Sequence, residues 1–379
     1  MKIRLPAAEG KSETYHLVGE PIAIRKPKIP FNRAAFAAAH VVADPLSAIG
    51  VLDWDRTLAF RHYLLDQGFG IAEAMDTSQR GMGLDWPLAH ELIMRSLKSA
   101  GPQAGRVYSG CGTDHLLPDD ARSLDDVVKA YLSQLHAIQK LGGRVIMMAS
   151  RALVRVARSP DDYVKVYSRV LGEANHPVIL HWLGEMFDPA LKGYWGADEF
   201  SETMKTCFAV INNNVAKVDG IKISLLDARK EITFRRQLPQ TVKMYTGDDF
   251  NYAELIDGDV QGYSHALLGI FAAIAPAAAA ALSALAKGNT KKFHKLLGPT
   301  VPLSRLIFQA PTQYYKTGIV FLAWLNRHQE HFIMVNGAQS ARPLFYFTEV
   351  FKLADQAGLL RDPGLAVKRM KTLLAFYGQ

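Results

Sequence analysis

The feature that most restricts how this chain can fold is a rhythm. Apolar runs of strand length recur at residues 38–43, 70–75, 106–109, 145–149, 178–181, 218–223, 242–246 and 260–265, with amphipathic helical segments between them. Helix starts are written into those intervals. Leu52-Asp53 opens a segment running through Leu65, and Trp86-Pro87 opens another through Leu97. Ser123-Leu124-Asp125-Asp126 has the form of a capping box with Asp in place of Glu. Ser159-Pro160-Asp161-Asp162 puts a cap residue, a first-turn proline and two acids in succession. Eight strands alternating with helices predict an α/β fold, a (β/α)8 TIM barrel, over residues 31–287. A doubly wound open sheet competes, but the glycine-rich phosphate loop it would carry after an early strand is not evident, and no cofactor is expected.

The flanks break the rhythm. Residues 1–30 read as an N-terminal β-hairpin extension of one or two small hairpins, with Ile3–Pro6, a turn at Gly10-Lys11, Tyr15–Val18 and Ile22–Ile24. Residues 288–379 read as a C-terminal helical region, with segments at 290–297, 311–329, 344–356 and 364–377. Their aromatics, among them Phe321, Trp324 and Phe345, predict packing on the barrel or on another subunit. Ala266–Ala286 is almost wholly apolar and about long enough to span a bilayer. Pro276 interrupts it and alanine contributes little to insertion, so a buried helix pair is expected, with no membrane partner.

With 379 residues, of which 49% are hydrophobic, the chain can bury a sizeable core. The net charge of +8 is scattered rather than gathered into a tract, which favours small acidic substrates or plain solubility over nucleic acid. Cys111 and Cys207 are the only cysteines, which excludes a disulfide framework and fits a reducing cytoplasm. Lys2 and Arg4 are not followed by an apolar run, so no signal peptide is expected.

One strand carries a residue that does not suit it. In Val218-Asp219-Gly220-Ile221-Lys222-Ile223-Ser224 the alternation of faces sends Ile221 and Ile223 one way and Val218, Gly220 and Lys222 the other. If both faces are covered, the Lys222 ammonium is desolvated, its pKa falls, and a neutral amine becomes available to attack a carbonyl carbon. An edge lysine reaching solvent is the ordinary alternative. Active sites of such barrels lie at the carboxyl ends of the strands, where His181 ends the preceding strand and can shuttle protons. Asp76, Thr77 and Ser78 follow the second strand, Thr113-Asp114-His115 the third, Ser150-Arg151 the fourth, and Thr246-Gly247-Asp248-Asp249 the seventh. Gly262-Tyr263-Ser264-His265 is expected to end the eighth. The candidates are therefore Lys222, His181, Thr77 and Ser78 for catalysis, and Asp76, Arg151, Gly247, Asp248, Tyr263 and His265 for substrate binding, with no metal. A second reading is a metal-dependent sugar isomerase, epimerase or lyase drawing on His181, Glu185, Asp114, His115, Glu73 and His265, although no ligand spacing supports it. A third is a non-catalytic barrel that binds a metabolite.

With these residues in place, the chain resembles the dihydrodipicolinate synthase and N-acetylneuraminate lyase superfamily of class I aldolases, as a divergent branch. Gly220-Ile221-Lys222, followed by Ser224 and Asp227, is similar to the G-[IV]-K-[DE]-x-[ST]-G-[DN] signature around the Schiff-base lysine. Pro177-Val178-Ile179-Leu180-His181-Trp182 resembles the P-[VI]-x-[LI]-Y-N-x-P strand about forty residues upstream. Tyr245-Thr246-Gly247-Asp248-Asp249 resembles the S/N-G-D-D that follows. The likeness covers roughly residues 37–310. His181 stands where the family has its proton-passing tyrosine, and Asp76-Thr77-Ser78-Gln79-Arg80 stands for G-T-T-G-E. Ser150-Arg151-Ala152 falls at the P-Y-Y loop without a phenol. The resemblance implies a Schiff-base lyase or aldolase, acting by C–C cleavage or dehydration on a small keto-acid or keto-sugar substrate in a cytoplasmic dimer or tetramer.

Overall fold

The computed structural model describes residues 1–7, 11–47 and 52–379. Eight parallel strands close into a barrel: β3 (Ala35–Ala38), β4 (Gly70–Glu73), β5 (Val107–Cys111), β6 (Arg144–Met147), β7 (Val178–Leu183), β8 (Val218–Ser224), β9 (Lys243–Thr246) and β10 (His265–Leu268). Each strand pairs with its sequence neighbour, and β10 closes the ring on β3 through Ala266–Leu268 beside Ala35–Ala37. This is the TIM barrel that the alternation predicts. Ahead of it, β1 (Lys2–Pro6) and β2 (Ser12–His16) form an antiparallel pair. The turn expected at Gly10-Lys11 lies in part outside the described residues. Ile22–Ile24 form no strand.

Two of the predicted barrel strands are displaced. The first lies at Ala35–Ala38 rather than 38–43, because the backbone beyond it bonds elsewhere. Val42 N donates to Thr57 Oγ1 at 3.0 Å, and Val42 O accepts from Asp53 N at 2.9 Å, at the start of α1 (Trp54–Asp66). The last lies at His265–Leu268 rather than 260–265. Val260 is fully exposed in a turn in which Asp259 N donates to Gly262 O at 2.8 Å. The apolar stretch read as a helix pair is likewise divided, since its first residues belong to β10 and the rest to α9 (Phe271–Leu285). Ile274 leaves helical geometry there, where Pro276 supplies no N–H and crowds the preceding turn. Among the described residues no helix is long and apolar enough to cross a membrane.

The helix starts follow the local chemistry in most cases. In α3 (Leu124–Lys140) Ser123 Oγ accepts from Asp126 N, while the Asp126 carboxylate accepts from the Ser123 hydroxyl and from Arg122 N at 3.1 Å. Asp85 and Asp53 cap α2 (Trp86–Ala100) and α1. Ser159 does not cap α5 (Pro160–Gly172). Asp162 instead accepts from Arg158 N at 2.9 Å.

The chain divides into two compact units. Residues 33–38 and 70–268 contain all eight barrel strands, with α2, α3, α4 (Arg151–Val156), α5, α6 (Phe200–Asn213), α7 (Ala228–Arg235) and α8 (Tyr252–Asp257). Residues 1–32, 39–69 and 269–379 contain the hairpin, α1, α9, α10 (Thr290–Leu297), α11 (Val301–Ile307), α12 (Lys316–Leu325), α13 (Leu344–Gln356) and α14 (Pro363–Phe376). In the second unit Asp355 on α13 accepts from Tyr15 Oη at 2.9 Å and Val18 N at 2.8 Å, which ties the amino-terminal segment down. Phe321, Trp324, Phe332 and Phe347 form an aromatic cluster in the same unit.

Candidate active site

Strand parity alone sends Lys222 inward, and the barrel register shows what it meets. Lys222 pairs with His181 on β7 and with Tyr245 on β9. Ile179 and Tyr245, on the same faces, belong to the interior cluster with Phe36, Tyr108, Ile146 and Leu267. The floor is made of rings packed edge to face: Phe36 lies 4.8 Å from Tyr108 and 6.0 Å from Tyr245 between centroids. Tyr245 reaches back along β8 and donates its hydroxyl to Asp219 at 2.7 Å, toward the amino end. Gly220 makes room for that ring, since a Cβ there would lie 2.6 Å from it.

Above this floor Lys222 is 5% exposed and His181 2%. Burial pulls the Lys222 ammonium below its ordinary range, against the carboxylates of Asp76 and Asp249, which favour the charged form. Burial, assisted by the charge of Lys222 and opposed by Asp76, holds His181 neutral. His181 Nε2 lies 3.2 Å from Ser224 Oγ. Gly247 closes the group from β9. Its N donates to Ile223 O at 2.8 Å, and a Cβ at this position would fall 2.2 Å from Ser224 Oγ and 2.7 Å from Lys222 Cε. Lys222, His181, Ser224, Gly247 and Asp249, with the half-buried Asp76, thus lie together at the carboxyl ends of β4, β7, β8 and β9. An amine whose charged form burial disfavours, beside a neutral imidazole and above an apolar floor, can add to a carbonyl and move a proton.

The remaining candidates are placed as follows. Thr77 and Ser78 are buried in the single 3-10 turn that carries Asp76. Asp248 binds its own loop: Oδ1 accepts from Phe250 N at 2.8 Å and Asn251 N at 3.0 Å, and Oδ2 from Asn251 Nδ2 at 2.9 Å. Arg151 opens α4 and pairs with Asp188 at 2.6 Å. Tyr263 and His265 stand at the opposite end of the barrel, because β10 starts where the eighth strand was expected to finish. His265 Nδ1 accepts from Ala34 N at 2.9 Å, and the exposed Tyr263 ring lies 3.4 Å beneath the Arg33 guanidinium.

The six groups considered as metal ligands do not converge. Glu73 points behind the sheet, where Ser96 donates to it at 2.6 Å. Asp114 accepts both arms of Arg80, at 2.9 and 2.7 Å, while His115 Nδ1 meets Gln134 Nε2 at 2.8 Å. His265 is at the far end and Glu185 is exposed. Among the described residues no three His, Cys, Asp or Glu side chains gather as a metal set.

Ser224 and Asp249 were not picked out from the sequence as site residues. Ser224 was within reach of the same parity that selected Lys222, two residues on; Asp249 lies in a loop, where no periodicity applies. A phenol also stands where none was expected: Tyr194 Oη accepts from Ser150 N at 3.2 Å and shares a hydrogen bond of 2.8 Å with Tyr167. Thr113 Oγ1 is 2.6 Å from Ser150 Oγ beside it.

A closed parallel barrel with an inward lysine on its sixth strand, followed by a helical extension, has the fold of the dihydrodipicolinate synthase family of aldolase-like lyases. Solved structures show the likeness. A dihydrodipicolinate synthetase described as putative, from Pseudomonas aeruginosa, aligns at TM-score 0.64 with 16% identity, over 86% of this chain and 99% of that one. The Thermotoga maritima dihydrodipicolinate synthase aligns at 0.66 with 14% identity, again over 86% and 99%. So does the prophage protein YagE of the dihydrodipicolinic acid synthase family from E. coli K12, solved in complex with pyruvate, at 0.66, 14% identity and the same coverage. The chain itself belongs to the family described as "Protein of unknown function (DUF993)", whose model matches residues 3–379. No curated protein matches it.

Proposed function

We propose that this protein is a Schiff-base-forming lyase or aldolase whose nucleophile is Lys222, acting on a keto acid or keto-sugar derivative. The single observation that carries the reading is a lysine buried inside the barrel, with its ammonium destabilised, next to a neutral histidine. The amine adds to the keto carbon, and the carbinolamine loses water to leave a protonated carbon–nitrogen double bond. That iminium accepts the electron pair of the carbon–carbon bond beside it in cleavage, releasing an aldehyde, or of the carbon–hydrogen bond beside it in dehydration, after which the enamine expels the hydroxyl one carbon further on as water. His181 takes the proton from the departing carbinol in cleavage, or from the carbon beside the iminium in dehydration, and returns it to the enamine or to the leaving hydroxide respectively. Water then hydrolyses the iminium and restores Lys222. Thr77 and Ser78 assist proton movement, and Asp76 and Gly247 shape the substrate side of the pocket. A cytoplasmic location, a place in carbohydrate metabolism and assembly into a dimer or tetramer belong to the same reading and rest on the resemblance in fold and motifs.

Cyanoborohydride trapping with a panel of ketones, read by peptide mass spectrometry, tests this. An adduct on Lys222 that vanishes in Lys222→Ala is expected. Turnover that survives in Lys222→Ala rules the imine out.

A further inference from the structure

The parity that sends Lys222 inward at one mouth of the barrel also sends polar side chains inward at the other. Ile146, Tyr245 and Leu267 belong to the interior cluster, so Arg144, Lys243 and His265, each two residues earlier on β6, β9 and β10, face inward one layer nearer the amino ends. All three are half-buried, as is Asp219 beside them. Hydrogen-bond donors outnumber acceptors in this layer. Asp219 has both oxygens taken, Oδ1 by Lys243 Nζ at 2.6 Å and Oδ2 by Tyr245 Oη at 2.7 Å. Arg144 Nη1 donates to Tyr108 Oη at 3.0 Å. Among the described residues neither the rest of that guanidinium nor the proton of the Tyr108 hydroxyl has an acceptor. His265 Nδ1 accepts from Ala34 N at 2.9 Å, which leaves the proton of the neutral ring on Nε2, again with no acceptor among the described residues. Burial, with the charges of Lys243 and Arg33, lowers the His265 pKa to about 4 against the pull of Asp219, so the ring is neutral and donates through Nε2 alone. Buried polar groups that serve only the fold are paired with one another. Spare donors, with two cations against one carboxylate, suit an oxyanion.

We infer that the amino-terminal mouth of the barrel is a second binding site, for a phosphate group, held by Arg144, Lys243, Tyr108 Oη and His265 Nε2. These donors come from four strands, β5, β6, β9 and β10, and so surround a ligand rather than flank it. That arrangement matches the tetrahedral oxygens of phosphate better than the flat pair of a carboxylate. The site lies at the end of the barrel away from Lys222 and does not depend on the imine reading.

Isothermal titration of the full chain with inorganic phosphate and with glycerol 3-phosphate, at constant ionic strength in chloride, tests the site. One phosphate per chain is expected, with Kd below about 1 mM. Arg144→Gln and, independently, Lys243→Met weaken binding at least about tenfold. Tyr108→Phe, which removes one oxygen and keeps the ring, weakens it about fivefold and serves where a charge variant does not fold. Lys222→Ala, at the other mouth, leaves the affinity unchanged. Tighter binding of the ester supports a site for a phosphorylated metabolite, and equal binding supports a site for free phosphate. No saturable binding of either probe up to about 10 mM overturns the inference. So does an affinity unchanged in the folded variants at Arg144, Lys243 and Tyr108, or one lost in Lys222→Ala, which would place the anion in the Lys222 pocket.

Discussion

His181 Nε2 lies 3.2 Å from the hydroxyl of Ser224, a residue two positions beyond Lys222 on the adjacent strand. The contact holds the imidazole in the plane of the site while burial keeps it neutral. Ser224→Ala is therefore expected to lower kcat roughly tenfold, the worth of one ordinary hydrogen bond, without reducing the yield of trapped Lys222 adduct. His181→Asn lowers turnover about a hundredfold or more while trapping persists, because proton movement and amine addition are separate duties. Loss of trapping in step with turnover in both variants would show that the pair only supports the fold.

The pH dependence follows from the charges around Lys222. Burial lowers its pKa below 10.5, and Asp76 and Asp249 oppose that shift. Amine addition should rise with pH and level off below the point reached by a solvated lysine. Removing a carboxylate that stabilises the ammonium lowers the pKa further, so Asp249→Asn shifts the rising limb to lower pH. Initial rates of adduct formation between about pH 6 and about pH 10 measure it. A limb that stays in place, or moves upward, contradicts the electrostatic account.

Gly247 gives the tightest steric expectation. A methyl at this position would lie 2.2 Å from Ser224 Oγ and 2.7 Å from Lys222 Cε. Gly247→Ala should cost about 1–3 kcal/mol of stability through overpacking, and should abolish trapping even where the protein still folds. Urea unfolding and adduct mass read the two effects separately.

Behind the sheet, Glu231 on α7 is buried and accepts from Ser264 Oγ at 2.7 Å. Burial raises its pKa from 4.5 to about 8, against the pull of Ser264, Thr246 and Arg235 and with help from Asp248. The folded state thus binds the proton more tightly than the unfolded one. The stability this contributes is complete below about pH 4.5 and is lost as pH rises to about 8, an effect on the order of 5 kcal/mol. Denaturation midpoints of the wild type should fall across that window, and Glu231→Gln should flatten the fall. An identical slope in the variant would assign it to other groups.

Much of the barrel was legible because its signals are local. A strand repeats every two residues and a helix every 3.6, so the succession of elements, the inward face of Lys222 and the cap at Ser123 could be read within a few residues of each position. The same local reading placed His181 correctly beside Lys222, one strand away. It failed at the two strands that close the ring. Their limits are set by each other, through Ala34 N on His265 Nδ1 and Ala266–Leu268 beside Ala35–Ala37, and no short window of sequence contains both. Tyr263 and His265 went to the wrong end for that reason.

Sequence alone determined the barrel class and the lysine on its inner face, because periodicity and parity are properties of the backbone. Tertiary structure alone decided the company that lysine keeps. Loops have no period, so only closure of the barrel could bring Asp76, Gly247 and Asp249 around Lys222, turn Asp248 into its own loop, and commit Arg80 to Asp114 and Arg151 to Asp188.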